Sequence, residues 1–445
     1  MNNILAIFGY ILFDWAIAPA SSIIATFIFP TFFVSSLASM DACQMIHLTS
    51  SSHAQCGSLL WGHTATFAAL TIAILSPICG SFADKYNNCK TWIFSCTIIT
   101  AISCSLLWYA QPGVGWIWLT LACVCINTIA VDIAFVFYNA LLPTISTGKN
   151  IGRLSGISWA AGYFGSIFAL IAILLTLILP DKSWLITNEN FANVRVIGPL
   201  TGAWLLIFAI PFFLFTPERK VRDTRTKRAT LRQTLSRAYT IPGLMQYMVA
   251  RMLISDALTT AFTFGGILAS TVHGFSNQEV LLLGIGLNLS AGIGGLLLSN
   301  LSLWFDEYML VIWYTCALLV GGGYITFAST HLHFWIAGLT LSFFIGPVQA
   351  STRAVFAKIC PKENTAEFFG LYMFSGKATA FLGPAIYTAL IYMTGSQKLG
   401  MCSIIIILAA AWYLLVTNTQ ITEQLKTESD THADSFDLEP SPAVN

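Results

Sequence analysis

The feature that most constrains this chain is a strongly basic stretch set between long apolar segments. Residues 217–237 contain eight Lys or Arg residues and two acidic residues, and the sequence on either side is overwhelmingly apolar. Loops rich in Lys and Arg between membrane spans stay on the cytoplasmic side. The stretch lies near the middle of the 445 residues and leaves room for about six apolar spans of roughly 20 residues on each side. It therefore predicts an orientation and a division into two halves.

The composition indicates an integral membrane protein. The chain is 56% hydrophobic and 9% charged, with a mean hydropathy of +0.73, whereas soluble domains are about one quarter charged. Long apolar segments containing Gly and Pro favour helices over a barrel, whose strands alternate polar and apolar residues over about ten positions. A net charge of +1 gives no indication of nucleic-acid binding.

The apolar segments predict an all-α polytopic membrane protein with twelve transmembrane helices in two pseudo-symmetric six-helix bundles. Residues 1–216 form the N-terminal bundle, 217–242 a basic cytoplasmic linker, 243–418 the C-terminal bundle, and 419–445 a disordered acidic cytoplasmic tail. Both termini are predicted to be cytoplasmic, which puts more Lys and Arg in the inner loops than in the outer ones. The predicted spans lie near 4–35, 58–83, 91–110, 114–140, 154–180, 196–216, 243–271, 279–304, 308–329, 333–357, 367–393 and 397–418.

An internal repeat supports the two halves. Sliding the second half back by 218 positions aligns Gly or Pro residues across a span end, a loop and the next span. The aligned pairs are Pro143 with Pro361, Gly152 with Gly370, and Gly165 with Gly383. Parallel repeats of this kind are typical of transporters built from two similar bundles.

The loop after the second predicted span carries a recognisable motif. Residues 80–90 read Gly-Ser-Phe-Ala-Asp-Lys-Tyr-Asn-Asn-Cys-Lys. Glycine lets another helix approach closely, and the Asp84 carboxylate can accept hydrogen bonds from amides at a helix N-terminus or pair with a cation. The motif resembles the loop signature of the major facilitator superfamily, with Asn87 in place of a glycine. The equivalent loop of the second half, residues 302–307, has Asp306 and no basic residue.

These features predict a gate at the inner face, where such contacts would hold the two halves together. The predicted gate residues are Gly80, Asp84, Lys85, Lys90 and Arg153.

Longer stretches resemble the vacuolar (autophagy-related) effluxer-like group within that superfamily. They are residues 10–16, 137–143, 155–165, 346–361 and 367–384. The resemblance covers nearly the whole chain and implies a twelve-helix transporter. The role of the fungal members implies amino-acid export from vacuoles.

Charged residues at membrane depth are the candidate functional residues. Asp14 lies about 15 Å into its span, near the bilayer midplane, and Asp256 lies at a comparable depth in the seventh span. Arg251, Asp132 and Lys377 are also deep. Because each such charge costs at least about 2.5 kcal/mol when it faces lipid, these residues should face one another or water. A polar interior cavity is therefore expected.

In the functional interpretation, Asp14 or Asp256 binds a proton or a substrate amine, and Arg251 or Lys377 holds a carboxylate. The alternative is a structural ion pair, for example Asp256 with Lys377, that only fixes helix register. Asn139 and Gln349 need buried hydrogen-bond partners and are predicted to line the same cavity. The predicted pathway residues are Tyr10, Asp14, Asp132, Asn139, Arg251, Asp256, Gln349 and Lys377.

These observations predict a proton-coupled secondary active transporter of small solutes, amino acids or similar zwitterions, working by alternating access. The alternatives are a siderophore, sugar or drug exporter of the same superfamily, and a receptor or scaffold that does not transport. No P-loop or catalytic triad is present, so we predict no enzyme and no cofactor. His331 and His333 have no third ligand at metal-binding spacing, so no metal site is predicted. The expected partners are the solute, H⁺ and membrane lipids, without nucleic acid, for a monomer in a bacterial inner membrane.

Cys43 and Cys56 fall in the polar loop that the orientation places outside, where an oxidising compartment permits a disulfide. We predict that alkylation of the unreduced protein, followed by mass measurement, leaves both thiols unmodified. Alkylation of both would exclude the bond.

Overall fold

A computed structural model describes residues 2–39, 41, 53–86, 88–148, 150–178, 189–218, 231–328, 330–380, 382–423 and 425. Within these ranges every regular segment is helical. The first helix is long and alternates between α-helical and π-helical turns over Ile4–Leu37.

Fourteen helices are labelled here in chain order. Their bounds are α1 Ile4–Leu37, α2 His53–Tyr86, α3 Cys89–Leu106, α4 Val114–Ile145, α5 Asn150–Ile173, α6 Ile197–Phe215, α7 Leu231–Thr240, α8 Leu244–His273, α9 Asn277–Leu298, α10 Glu307–Phe327, α11 His331–Ile359, α12 Thr365–Ala378, α13 Leu382–Thr394 and α14 Cys402–Thr417.

Eleven helical segments of the described residues are long and apolar enough to cross a membrane. The predicted span 367–393 is the exception, because it is divided into α12 and α13 around Thr379, whose backbone leaves the helical region at φ −119°. Pro384 explains the position of the break. It has no N–H to bond the carbonyl of Ala380, and its ring would clash with that carbonyl in a continuous helix. The predicted span near 367–393 therefore consists of two helices.

The helices α1–α6 pack as one group, the N-bundle, and α8–α14 pack as another, the C-bundle. Within the N-bundle α1 lies against α5 and α6, and α3 lies against α4 and α6. Within the C-bundle α8 and α10 both lie against α14. Two pairs of helices join the bundles: α2 packs along α12, and α5 packs along α9. The second helix of each bundle thus meets the fifth helix of the other, as two equivalent halves would arrange them.

The bundles approach each other most closely at one end, here called the linker face, where α6 ends at Phe215 and α8 begins at Leu244. Glycines make the approach possible. A Cβ on Gly80 would collide with the backbone of Ala366, and one on Gly156 would collide with the side chain of Ser299. Small residues bring helix backbones together in this way in membrane proteins.

The structure describes parts of the predicted linker and tail. Of the eight basic residues of the predicted linker, Arg232 and Arg237 belong to α7 and the other six lie outside the described residues. The hydroxyl of Thr234 in α7 donates to the Glu367 carboxylate at 2.6 Å. In the tail, residues 419–423 are helical and Ile421 is buried, which corrects the expectation of disorder from residue 419. Residues 426–445 lie outside the described part.

Cys56 is buried and disulfide-bonded. Cys43 lies outside the described residues, so the pairing of these two cysteines stays a prediction. Seven other cysteines, Cys79, Cys96, Cys104, Cys123, Cys125, Cys316 and Cys402, are free thiols, in keeping with a packing role.

A Gly→Ala substitution adds one methyl group, and it should lower the stability of the protein more at a tight helix contact than at a glycine with open space beside it. We expect Gly156→Ala to lower the thermal stability of the detergent-purified protein, because Ser299 and the backbone of α9 leave no room for a Cβ. Gly323→Ala in α10 is the matched control, since a Cβ there has no neighbour within 4 Å and Ala is the better helix former by up to about 1 kcal/mol. Equal melting temperatures for the two variants would contradict this packing.

Candidate transport site

A cavity of about 380 Å³ lies between the two bundles. Helices of both bundles line it, and charged and amide side chains interrupt its apolar wall. Five of the eight predicted pathway residues line it directly: Asp14, Asp132, Asn139, Arg251 and Gln349. The polar cavity expected from the sequence is therefore present, and the remaining three pathway residues lie behind or beside it.

An ion-pair network at the end of the cavity nearer the linker face joins the bundles. The Asp14 carboxylate of α1 accepts a hydrogen bond from the Tyr138 hydroxyl at 2.8 Å and lies 3.7 Å from a guanidinium nitrogen of Arg353. Asp14 and Arg353 are 3% and 2% exposed, so neither charge is solvated by bulk water. A buried charge is stable only when it is paired and hydrogen-bonded.

Arg353 is the main link of this network. It belongs to α11 of the C-bundle, yet its donors bind the N-bundle: Nε donates to the Ser155 hydroxyl at 2.9 Å, and another nitrogen donates to the Ser155 carbonyl at 2.8 Å. A third donates to the Asn139 amide oxygen at 3.2 Å. Loss of the Asp14 charge would leave the guanidinium with neutral acceptors only.

Arg353 lies in the stretch 346–361 that carries the family resemblance, and no role was predicted for it from the sequence. The rule that selected Asp14, a charge within a predicted apolar span, would have found it, because residue 353 lies inside the predicted span 333–357. Tyr10 does not line the cavity. It stacks on Tyr138 with ring centroids 4.1 Å apart and supports the network from behind.

A second ion pair joins the bundles beside the cavity. The Lys377 ammonium of α12 lies 2.8 Å from the Asp132 carboxylate of α4. Asp132 faces the central cavity, and Lys377 lines a neighbouring cavity of about 170 Å³ walled mainly by Ala and Thr residues. The pair suggested from the sequence, Asp256 with Lys377, is wrong, because Lys377 is bound to Asp132.

Arg251 lines the cavity but is held within the C-bundle. Its guanidinium lies 3.6 Å above the ring of Tyr372 and donates to the carbonyl of that residue and to the Ser375 hydroxyl. Stacked arginines keep donors in the plane of the guanidinium available to a carboxylate. Across the cavity, the Tyr163 hydroxyl of α5 donates to Gln349 of α11 at 2.8 Å.

Asp256 does not line the cavity. It is 1% exposed between α8 and α13, where one carboxylate oxygen accepts the amide of Gly383 at 2.9 Å. The rotation of α8 turns its side chain away from the cavity. Ser255 and Thr259, which lie to one side of Asp256 around α8, face the cavity instead.

At the linker face, the predicted gate residues separate into two groups. Asp84 accepts hydrogen bonds from the first amides of α12, those of Ala366 at 3.1 Å and Glu367 at 2.6 Å, and so binds the N-bundle to a helix N-terminus of the C-bundle. Gly80 lies one turn earlier on α2, at the same contact. The other three predicted gate residues, Lys85, Lys90 and Arg153, do not take part in it.

Lys90 binds within the N-bundle instead, because its ammonium donates to the carbonyls of Phe213 and Thr216 at 3.0 and 2.7 Å. Lys85 and Arg153 are exposed. A further contact of the C-bundle lies near Gly152, where Glu307 pairs with Lys358, and the sequence analysis did not predict it.

At the opposite end of the molecule, a histidine pairs with an acid. His331 lies 3.4 Å from Glu279 and stacks on Phe275 at 3.8 Å. Hydrogen bonds from the amide and hydroxyl of Ser276 hold the pKa of Glu279 below its usual value. Among the described residues no group of three His, Cys, Asp or Glu side chains is placed to hold a metal ion.

Solved structures with this arrangement of helices are transporters. The chain superposes on the crystal structure of the transporter FucP in its outward conformation with a TM-score of 0.72, at 15% identity, over 94% of this chain and 99% of that one. The fold is therefore that of the major facilitator superfamily. This fold and the eleven long apolar helices of the described residues together indicate a multi-pass membrane protein.

Within this class, the chain belongs to the vacuole effluxer Atg22-like family, whose family model matches residues 5–424. An uncharacterized MFS-type transporter, YxiO of Bacillus subtilis, is 25% identical over 94% of this chain and 96% of its own length. Autophagy-related protein 22 of Cryptococcus neoformans is 24% identical over 58% of this chain. That match covers only 48% of the fungal protein.

The Asp84 contact predicts a local effect on the helix that it caps. Asp84→Ala should raise the hydrogen-exchange rates of the Ala366 and Glu367 amides roughly 5-fold or more, because a lost helix cap costs about 1 kcal/mol. Peptide-resolved hydrogen–deuterium exchange measures this. Asp306→Ala is the control, since Asp306 caps α10 through the amide of Tyr308, and it should leave those two amides unchanged. Unaltered exchange in Asp84→Ala would contradict the contact.

Proposed function

We propose that this protein is a secondary active transporter that couples the movement of a small zwitterion, an amino acid or a similar solute, to that of protons by alternating access. The observation that carries the proposal is the Asp14–Arg353 pair, which lies buried at the end of the central cavity and joins the two bundles. A group placed there meets the solute and holds the bundles together at the same time.

Charges of both signs around the cavity support a zwitterionic solute. Asp132 and Lys377 form a neutral pair across the bundles. A zwitterion can separate them without leaving either charge unpaired, because its ammonium replaces Lys377 at Asp132 and its carboxylate replaces Asp132 at Lys377. Arg251 offers a second carboxylate site. A neutral sugar would have to separate the same pair without replacing either charge, which is costly at this depth.

Proton coupling follows from the contacts of Asp14. When Asp14 binds a proton, Arg353 loses the one negative charge in its surroundings while it keeps the neutral acceptors Ser155 and Asn139. The contact between the bundles at the end of the cavity is then weaker, and opening at the linker face costs less. Release of the proton restores the pair. A ligand shifts a conformational equilibrium when it binds one conformation more tightly than the other, and here the ligand is the proton on Asp14.

The basic linker supports an orientation in which the linker face and both termini are cytoplasmic. In that orientation the tight contacts at Gly80, Asp84 and Gly156 close the cytoplasmic side, and the structure corresponds to an outward-facing state. The match to a bacterial relative covers 94% of this chain and 96% of that protein, which supports a location in a bacterial inner membrane. The family description as vacuole effluxers supports export as the direction of net transport. A single chain contains the complete cavity, which supports function as a monomer.

Proteoliposomes test the mechanism. With amino-acid mixtures as substrate, the unmodified protein should accumulate solute under an imposed proton gradient and exchange labelled solute across the membrane. Asp14→Asn should lose gradient-driven accumulation at least 10-fold but keep exchange, because exchange does not require proton release. Lys377→Gln should lose both, through weaker carboxylate binding.

Glu363→Gln serves as the control, since it removes an exposed acid outside the cavity and should behave as the unmodified protein. Proton-driven accumulation that is intact in Asp14→Asn would remove Asp14 from the coupling mechanism. Transport of sugars or iron chelates in place of amino acids would support the other exporter classes.

A further inference from the structure

Arg251 is the cation at the central cavity that has no acidic partner among the described residues. Three cations and two acids of the described chain border the central cavity and the smaller one beside it: Arg251, Arg353 and Lys377, with Asp14 and Asp132. Arg353 is paired with Asp14, and Lys377 with Asp132. With both acids ionised, the described part of the site therefore carries one positive charge in excess, and that charge lies on Arg251.

The guanidinium of Arg251 has one nitrogen engaged and two without an acceptor. Nη1 donates to the carbonyl of Tyr372 and to the hydroxyl of Ser375, both on α12, and these two bonds use both of its hydrogens. Nε and Nη2 have no hydrogen-bond acceptor among the described residues, and Arg251 lines the cavity. The edge formed by Nε and Nη2 suits a carboxylate, which it can bind through two parallel hydrogen bonds.

Contacts with α12 hold this guanidinium close to Lys377. A Cβ on Gly376 would lie 2.6 Å from Nη1 of Arg251 and 3.1 Å from Nη2, so the guanidinium occupies the space that a side chain at residue 376 would need. Lys377 follows directly, and consecutive Cα atoms are about 3.8 Å apart. Two cations thus lie at adjacent positions along α12, although Arg251 itself belongs to α8.

The excess charge needs an anion when the cavity closes. Alternating access passes through a state in which neither end of the cavity is open to bulk water. A cation that then has only neutral acceptors is costly at membrane depth. A neutral zwitterion that takes the place of the contact between Asp132 and Lys377 leaves Arg251 as it was, so it does not remove this cost. A solute with one further negative charge does.

We infer that the solute is an α-amino acid with a second carboxylate group, of the size of aspartate or glutamate. Its ammonium binds Asp132, one carboxylate binds Lys377, and the other binds the Nε–Nη2 edge of Arg251. This inference rests on the proposed function, because it assigns a substrate class to the same site. A dicarboxylate without an ammonium would separate Asp132 from Lys377 and leave the acid unpaired. A basic amino acid would bring a second ammonium to Arg251.

Matched pairs of labelled solutes test the inference. Glutamate and glutamine have nearly the same shape and differ by one negative charge, as do aspartate and asparagine. In proteoliposomes that exchange solute without an imposed gradient, kcat/KM for the acid of at least one pair should exceed that for its amide by about 10-fold or more, because the amide leaves a charged donor edge without its acceptor.

Two Arg→Gln variants locate the source of this preference. Arg251→Gln should bring the ratio of acid to amide close to one. Arg232→Gln, the same change at an exposed residue of α7 outside the cavity, should keep the ratio of the unmodified protein.

Ligand-dependent melting of the detergent-purified protein gives a second readout that does not require transport. The preferred acid should raise the melting temperature more than its amide does at equal concentration and ionic strength, and Arg251→Gln should remove the difference. Gly376→Ala, which displaces the guanidinium, should lower the preference for the acid several-fold. It keeps the test valid if Arg251→Gln fails to fold.

The outcomes separate this inference from the proposed function. Equal exchange of acid and amide in both pairs would overturn the inference and leave the proposed function intact. A preference for the acid that survives unchanged in Arg251→Gln and Gly376→Ala would overturn it as well, and so would exchange of succinate as fast as that of the amino acids. Exchange of no amino acid at all would overturn the proposed function and, with it, this inference.

Discussion

The cost of an unpaired charge inside the membrane is the constraint on which the rest of this structure depends. Asp14 and Asp132 of the N-bundle are each paired with a cation of the C-bundle, Arg353 and Lys377. Both pairs therefore cross the boundary between the bundles and border the cavity between them. The charges that are most expensive to bury are thus the ones that hold the two halves together, and the proposed mechanism has protons and charged solutes act on these two pairs.

Glycines complement these ion pairs at the linker face. Where Gly80 and Gly156 allow backbones to touch, Asp84 can reach the first amides of α12, and Ser155 on α5 can reach Arg353. Close packing and polar contacts thus lie side by side: α2 meets α12 through both, and α5 packs on α9 while its Ser155 binds Arg353 of α11. A contact made of short-range packing and a few hydrogen bonds can be broken and remade as a unit, as transport by rigid-body movement of two bundles requires.

The acidic residue on the first helix of each bundle, Asp14 or Asp256, has different partners in the two bundles. Asp14 accepts a hydrogen bond from the Tyr138 hydroxyl of its own bundle and pairs with the Arg353 guanidinium of the opposite bundle. Asp256 instead accepts the backbone amide of Gly383, from its own bundle. A repeat detected from Gly and Pro positions therefore preserves the helix framework but not the chemistry placed on it. Glycine spacing is set by packing, which both halves share, while the partners of a charge depend on which helices surround it.

The sequence by itself determined the membrane class and nearly all of the helices, because hydropathy and helical periodicity act along the chain and need no knowledge of neighbours. It also indicated a cavity and the importance of Asp14, Asp84 and Lys377. Only the tertiary structure decided the partners: Arg353 for Asp14, Asp132 for Lys377, and the position of Asp256 behind the cavity wall. Those outcomes depend on the rotation of each helix about its axis, and that rotation is fixed by contacts between helices far apart in the chain.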